Sequence, residues 1–225
     1  MLLIGNEPAR EALAAAMASG ALHHAWLIAG PEGVGKGSFA RIAALRMLAE
    51  AAEPERLSPG WDVPDGTRTA HLIDAGAHPD YRALIRLPKD PDKPDEALAR
   101  SITIAQVRSL QALFATKPAL SERRVIVIDA IDDLERAGAN ALLKSLEEPP
   151  AGTIFLLVSH APGRLLPTIR SRCRLLRFEP LTDAQVAQIV RAELPDATPG
   201  EIDALVRAGE GSPGRALHFA GLDIA

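Results

Sequence analysis

Between a short apolar run and a longer amphipathic one lies Gly30-Pro31-Glu32-Gly33-Val34-Gly35-Lys36-Gly37-Ser38. Glycines at this density let a backbone wrap round an anion, and a helix beginning at the end of the run aims free N–H groups at the same point. Lys36 stands where its side chain can reach the β and γ oxygens of a nucleotide. Such a loop needs a strand before it and a helix after it. His24 to Ala29 is apolar and stops at Gly30, and Gly37 to Glu50 has helical spacing with Phe39, Ile42, Ala43, Leu45 and Leu48 on its inner face. An ordinary glycine-rich turn has the same outline, but Lys36 and the flanking elements in register favour a phosphate loop.

The rest of the chain continues the alternation. Pro8 to Ala18 reads as an alanine-rich helix, and residues 51–80, rich in Pro, Gly and Asp, as a long connection. Tyr81 to Leu87 is a predicted strand, Pro88 to Glu96 a charged loop with three prolines, and Ile104 to Phe114 a helix. Val125-Ile126-Val127-Ile128 is β-branched throughout, the mark of a strand buried on both faces. A helix then runs to Glu148, stopped by Pro149-Pro150, and Thr153–Ser159 and Arg174–Phe178 add two more strands. Strands alternating with helices predict an α/β, mostly parallel, doubly wound sheet. From Pro180 onward only helical patterns appear, opening on Thr182 as an N-cap, which predicts two domains, 1–180 and 181–225.

Composition narrows the setting. The 225 residues carry a net charge of −4, against a generally basic nucleic-acid-binding surface. Cys173 is the only cysteine, so neither an internal disulfide nor a cysteine-rich zinc cluster can form. The N-terminus lacks the charged start and long apolar run of a signal peptide, and no run is long enough to span a bilayer. The expected location is the cytoplasm, with no membrane partner.

Two positions weaken the phosphate site. The residue after the lysine, normally a Ser or Thr that ligates Mg²⁺, is Gly37; Ser38 follows one residue later, turned by about 100° round the helix. Asp129 ends the Val125 strand where a metal-holding carboxylate belongs, but the next residue, where a water-activating Glu belongs, is Ala130. Asp132 and Asp133 read as a solvated helix start. ATP binding through Gly30, Gly33, Gly35, Lys36, Gly37, Ser38, Asp129 and Ser159 is expected to survive in part, with no metal site of the protein's own.

Three further segments bring a family into view. Asn140-Ala141-Leu142-Leu143-Lys144-Ser145-Leu146-Glu147-Glu148-Pro149-Pro150, Ser171-Arg172-Cys173 and Ala75-Gly76-Ala77-His78-Pro79-Asp80-Tyr81 resemble motifs of the bacterial AAA+ clamp-loader subunits. The lid sequence Gly211-Ser212-Pro213-Gly214 has Gly214 where the motor subunits of that family carry a sensor-2 arginine, and Arg215 comes one residue late. With Gly37 and Ala130, this makes the chain similar to the delta-prime family of DNA polymerase III rather than to the ATP-hydrolysing gamma/tau family. The resemblance implies an AAA+ domain with a five-stranded parallel sheet in the order 5-1-4-3-2 and a small helical lid. It also implies gamma/tau and delta subunits as partners, and, through the assembly, a sliding clamp and primed DNA. The chain would serve a nucleotidyltransferase holoenzyme without itself being catalytic. The sequence departs from the family by having no cysteine in residues 51–75, where a four-cysteine zinc module is common; His71 and His78 are too few to replace it. Such subunits usually continue into a third, collar domain.

The resemblance also implies roles. Arg172 would act in trans, as an arginine finger on the γ-phosphate in a neighbour's ATP site; otherwise it is a surface arginine paired with a local acid. Ser159 is either a polar sensor or a plain strand end. Lys144, Glu147 and Glu148 are either an exposed face with i,i+3 and i,i+4 pairs or a subunit contact. Arg164, Arg170, Arg172 and Arg174 form a basic cluster, facing DNA phosphate or nucleotide or merely solvent. Cys173 reads as a small buried residue, and His23 and His24 as structural. Two rival readings remain: an autonomous ATPase, with Ser38 and another acid making good the missing groups, and a simple DNA-binding module.

Overall fold

In the computed structural model, residues 3–90, 92–93 and 97–221 are described. In chain order the elements are α1 (Glu7–Ala18), β1 (Ala25–Ala29), α2 (Lys36–Ala52), α3 (Arg68–Asp74), β2 (Tyr81–Ile85), α4 (Ile104–Phe114), β3 (Arg124–Asp129), α5 (Arg136–Glu147), β4 (Thr153–Ser159), α6 (Pro167–Arg170), β5 (Arg174–Arg177), α7 (Asp183–Glu193), α8 (Pro199–Gly209) and α9 (Pro213–Phe219). The five strands are parallel, in the order β2-β3-β4-β1-β5. This is the order 5-1-4-3-2 read from the other edge.

The strands' alternation divides the core. Trp26 and Ile28 of β1, Val125 and Val127 of β3 and Leu156 and Val158 of β4 face α2, where Phe39, Ala43, Met47 and Leu48 meet them. Leu27, Ile126, Ile128, Phe155 and Leu157 face the opposite side, against Val107 and Leu110 of α4 and Leu142 and Leu146 of α5. Each large side chain buried this way stabilises the fold by about 1.5–3 kcal/mol before entropy is counted. Helices α7–α9 close over a core of their own, including Val186, Val190, Ile202, Val206 and Leu217. The starts of α7 and α8 are fixed by capping boxes at Thr182 with Gln185 and at Thr198 with Glu201.

Register places the functional loops. Ala29 pairs with Ser159 and Ile85 with Asp129, so the loops after β1, β3 and β4 leave the same end of the sheet.

Several expectations need correction. The inner face of α2 is broader than the spacing suggested: Ala40, Ala44 and Met47 are fully buried, while Ile42 and Leu45 are only half-buried. Strand β2 stops at Ile85, because Pro88 starts an antiparallel bridge to Leu98. Of the predicted loop Pro88 to Glu96, residues 91 and 94–96 lie outside the described ones.

The connection over residues 51–80 is also more ordered than its composition suggested. It contains a 3₁₀ turn, Pro54–Arg56, and α3. Glu53 accepts from Arg68 N, Thr69 N and Thr69 Oγ1, capping α3 from a distance. Arg46, only 7% exposed, donates to Glu50 at 2.8 Å, Ser58 O at 2.8 Å and Asp62 O at 3.0 Å. Trp61 lies edge-on to Phe39 with ring centroids 5.0 Å apart. One buried guanidinium thus holds the segment against α2. Arg46→Met is expected to lower stability by about 2–4 kcal/mol, since it leaves two carbonyls and Glu50 without their donor. EDTA, by contrast, should leave the melting curve unmoved; urea titrations with and without chelator check both.

A second buried pair anchors the start of β3. Asp80 and Arg124, each 1% exposed, lie 3.6 Å apart, and Asp80 also accepts from Ala119 N and Leu120 N at 2.8 Å. Arg124 donates to Thr116 O at 3.1 Å.

Candidate nucleotide site

At the C-terminal end of the sheet, the chain leaves β1 at Gly30 and enters α2 at Lys36. Gly33 and Gly35 have φ of 75° and 89°, left-handed values that a side chain would strain, so the loop needs glycine there. The first turn of α2 presents amides with no intrahelical acceptor, the usual seat for a phosphate. Lys36 is 2% exposed and its Nζ donates to Pro31 O, back across its own loop. Burial pulls its pKa down to about 8, against the opposing pull of Asp129, Asp132 and Glu32.

Gly37 and Asp129 meet at the side of the site where a metal ligand is expected. A Cβ on Gly37 would overlap Asp129 Oδ2. The carboxylate therefore fills the volume that a Ser or Thr side chain would use. Burial raises the pKa of Asp129, with His160, Arg41 and Lys36 pulling it back. Ala130, next along, is 3% exposed and offers no carboxylate. Ser38 is half-buried in α2.

Asp132 is not a solvated acid. It accepts from Ser159 Oγ at 3.0 Å, His160 N at 2.7 Å and Ala161 N at 3.1 Å. It ties the end of β4 to the turn after β3 and engages the hydroxyl proton of Ser159, which is itself fully buried. His160 Nδ1 is buried without a partner among the described residues. Sequence reading missed this use of Asp132 because its partners lie 27–29 residues away.

The lid reaches the same loop. Ser212 Oγ donates to Glu32 O at 2.9 Å, and Gly214 N donates to Gly33 O at 2.9 Å. A Cβ on Gly214 would stand 2.9 Å from Gly33 Cα, so the two backbones touch where a side chain at 214 would have to fit. Arg215 turns away, pairing with Glu210 at 2.6 Å. Gly30, Gly33, Gly35, Lys36, Gly37, Ser38, Asp129 and Ser159 thus gather at one end of the sheet.

Arg172 stands apart from them. Its guanidinium pairs with Glu147 at 2.7 Å and donates to Thr168 O at 2.7 Å. Glu147 thus turns to the segment after α6 instead of pairing along its own helix. Cys173 is half-buried, its Sγ donating to Ile169 O, and burial pushes its pKa up to about 12, which suits a packed thiol and not a nucleophile. His24 bonds Leu146 O at 3.0 Å, and His23 bonds Ala25 O at 2.9 Å. No helix among the described residues is long and apolar enough to cross a membrane.

Comparison with known proteins places this geometry. A family model described as DNA polymerase III, delta subunit, matches residues 5–182. The delta-prime subunit of DNA polymerase III from Pseudomonas aeruginosa is 34% identical over 219 residues, 96% of this chain and 62% of that protein. The tau subunit from Escherichia coli is 33% identical over 227 residues, 99% of this chain and 32% of that protein. The RuvB Holliday junction branch migration motor of Thermotoga maritima superposes with a TM-score of 0.56 at 19% identity, over 97% of this chain and 61% of that one, which speaks for the AAA+ fold alone. The chain spans about three fifths of its delta-prime relative. It belongs to the DNA polymerase III delta-subunit family, as a relative of that family's delta-prime members.

Proposed function

We propose that the chain acts as the delta-prime subunit of a DNA polymerase III clamp loader. In that role it is a poor ATPase within an ATP-driven assembly of gamma/tau and delta subunits. The assembly loads a sliding clamp onto primed DNA in replication, and Arg172 enters a neighbour's ATP site. The observation that carries this reading is the contact between Gly37 and Asp129. Where a hydrolysing site needs a hydroxyl, a metal and a carboxylate in sequence, this one has a carboxylate packed on a glycine and then Ala130.

The remaining groups still suit a nucleotide. Lys36, the amides of α2 and the wrap of Gly33 and Gly35 can hold phosphate oxygens, whereas no side chain of the loop is placed to help hold Mg²⁺ beside Asp129 or to take a proton from attacking water. Binding and chemistry are thereby separated. The chain alone should turn over ATP at well under about 1 s⁻¹, the low end for efficient phosphoryl transfer. A coupled steady-state assay on the purified chain tests this. Turnover at or above that rate, abolished by Lys36→Ala, would establish an autonomous ATPase instead.

A further inference from the structure

A cavity of about 430 Å³ opens on the sheet face opposite α2. Its floor is Leu27 and Ala29 of β1 with Leu175, and its walls include Arg170, Arg177 and, from the phosphate loop, Gly30 and Pro31. The face is open because α6, which crosses it between β4 and β5, has only four residues. Leu175 consequently stays 52% exposed, one of the few large apolar side chains left in solvent.

Strand β5 is also an edge. It pairs with β1 on one side and has no strand on the other among the described residues, so part of its backbone is unpaired. Arginine surrounds this edge. Arg164, Arg170, Arg174 and Arg177 are all exposed, and the side chains of Arg164 and Arg174 meet no carboxylate among the described residues. The acid in the cavity wall is Glu179, 4.0 Å from Arg177 and too exposed for that pair to hold either side chain firmly. Of these arginines, Arg170 and Arg177 line the apolar trough itself.

We propose that this cleft is a docking site for an extended, acidic protein segment that carries an aliphatic side chain. The segment would lie along β5, seat its aliphatic group over Leu27, Ala29 and Leu175, and set carboxylates against Arg170 and Arg177. Positive charge alone would also suit a nucleic acid. The floor speaks against that, since it is aliphatic and offers no platform for a base to stack on; the ring of Phe178 packs against Phe39 on the other face of the sheet. Arg172 does not line the cleft, although Arg170 and Cys173 on either side of it do; its own contacts run to Glu147 and Thr168.

The test is fluorescence anisotropy with a labelled peptide of roughly ten residues alternating glutamate and leucine. A glutamate–serine peptide, a lysine–leucine peptide and oligothymidine of about a dozen nucleotides serve as comparisons. The glutamate–leucine peptide should bind saturably and the glutamate–serine and lysine–leucine peptides should not. Arg170→Glu with Arg177→Glu, and separately Leu175→Ser, should each weaken it by about tenfold or more. The charge-matched pair Arg108→Glu with Lys117→Glu, on the α4 side, should leave it unchanged. Far-UV circular dichroism confirms that each variant is folded; these positions are exposed, so folding is expected to survive. No binding, equal binding to the Arg170/Arg177 variant, or tighter binding of oligothymidine through the same arginines overturns the proposal.

Discussion

Arg172→Ala is expected to slow ATP hydrolysis at the neighbouring subunit's site in a reconstituted clamp loader by about 10³–10⁵, the range an arginine finger supplies. The size follows from where the charge acts. A guanidinium fixed beside the γ-phosphate meets negative charge that grows in the transition state, in a site from which water is excluded. In the chain alone Arg172 is held by Glu147 and Thr168 O. That pair is half-exposed, so giving it up costs about 1 kcal/mol or less, small beside a contact in an enclosed site. The chain's own fold should not notice the change, because no buried group depends on Arg172. Single-turnover hydrolysis with assembly checked by sedimentation measures the effect. Total steady-state turnover falls less, since ATP sites that Arg172 does not reach continue to work.

The second large effect is on stability. Asp80→Ala should cost about 3–5 kcal/mol, the penalty for leaving one member of a buried ion pair without the other. Asp80 serves Arg124 and two backbone amides, Ala119 N and Leu120 N, while Arg124 reaches Thr116 O. Its loss therefore strands a charge and unties the loop that feeds β3. Burial already pulls the pKa of Arg124 down, with Asp80 opposing, so the cation depends on this partner. Asp80→Leu combined with Arg124→Met should recover much of the loss, because it removes both charges from the interior. Chemical denaturation of Asp80→Leu, Arg124→Met and the double variant closes the cycle. If Asp80→Ala alone costs less than about 1 kcal/mol, the pair is not what anchors that end of the sheet.

What the sequence showed follows from the range of the forces involved. The β-branched run in β3 and the glycines of the phosphate loop are local signals, and both lie where the residues predicted. The gaps at Gly37 and Ala130 were equally legible, because the motif they interrupt is contiguous. Asp132 was not, since its hydrogen bonds to Ser159, His160 and Ala161 exist only once β3 and β4 lie side by side. The lid's contact with the loop spans 180 residues between Ser212 and Glu32, and no local pattern encodes it. Glycine and proline content made residues 51–80 look irregular. The order there comes from Arg46 and Glu53, side chains reaching in from α2 and its C-terminal end. The trans role proposed for Arg172 rests on a partner and would therefore be a property of the assembly.

That property has one direct test. In a reconstituted clamp loader, ATP turnover is measured with Lys36→Ala and with Arg172→Ala introduced separately into this chain. Lys36→Ala should leave turnover near the unaltered level if, as proposed, this chain's own loop does not perform hydrolysis. Arg172→Ala should remove the turnover of the neighbouring site. The reverse pattern, with turnover lost on Lys36→Ala and retained on Arg172→Ala, would contradict the account.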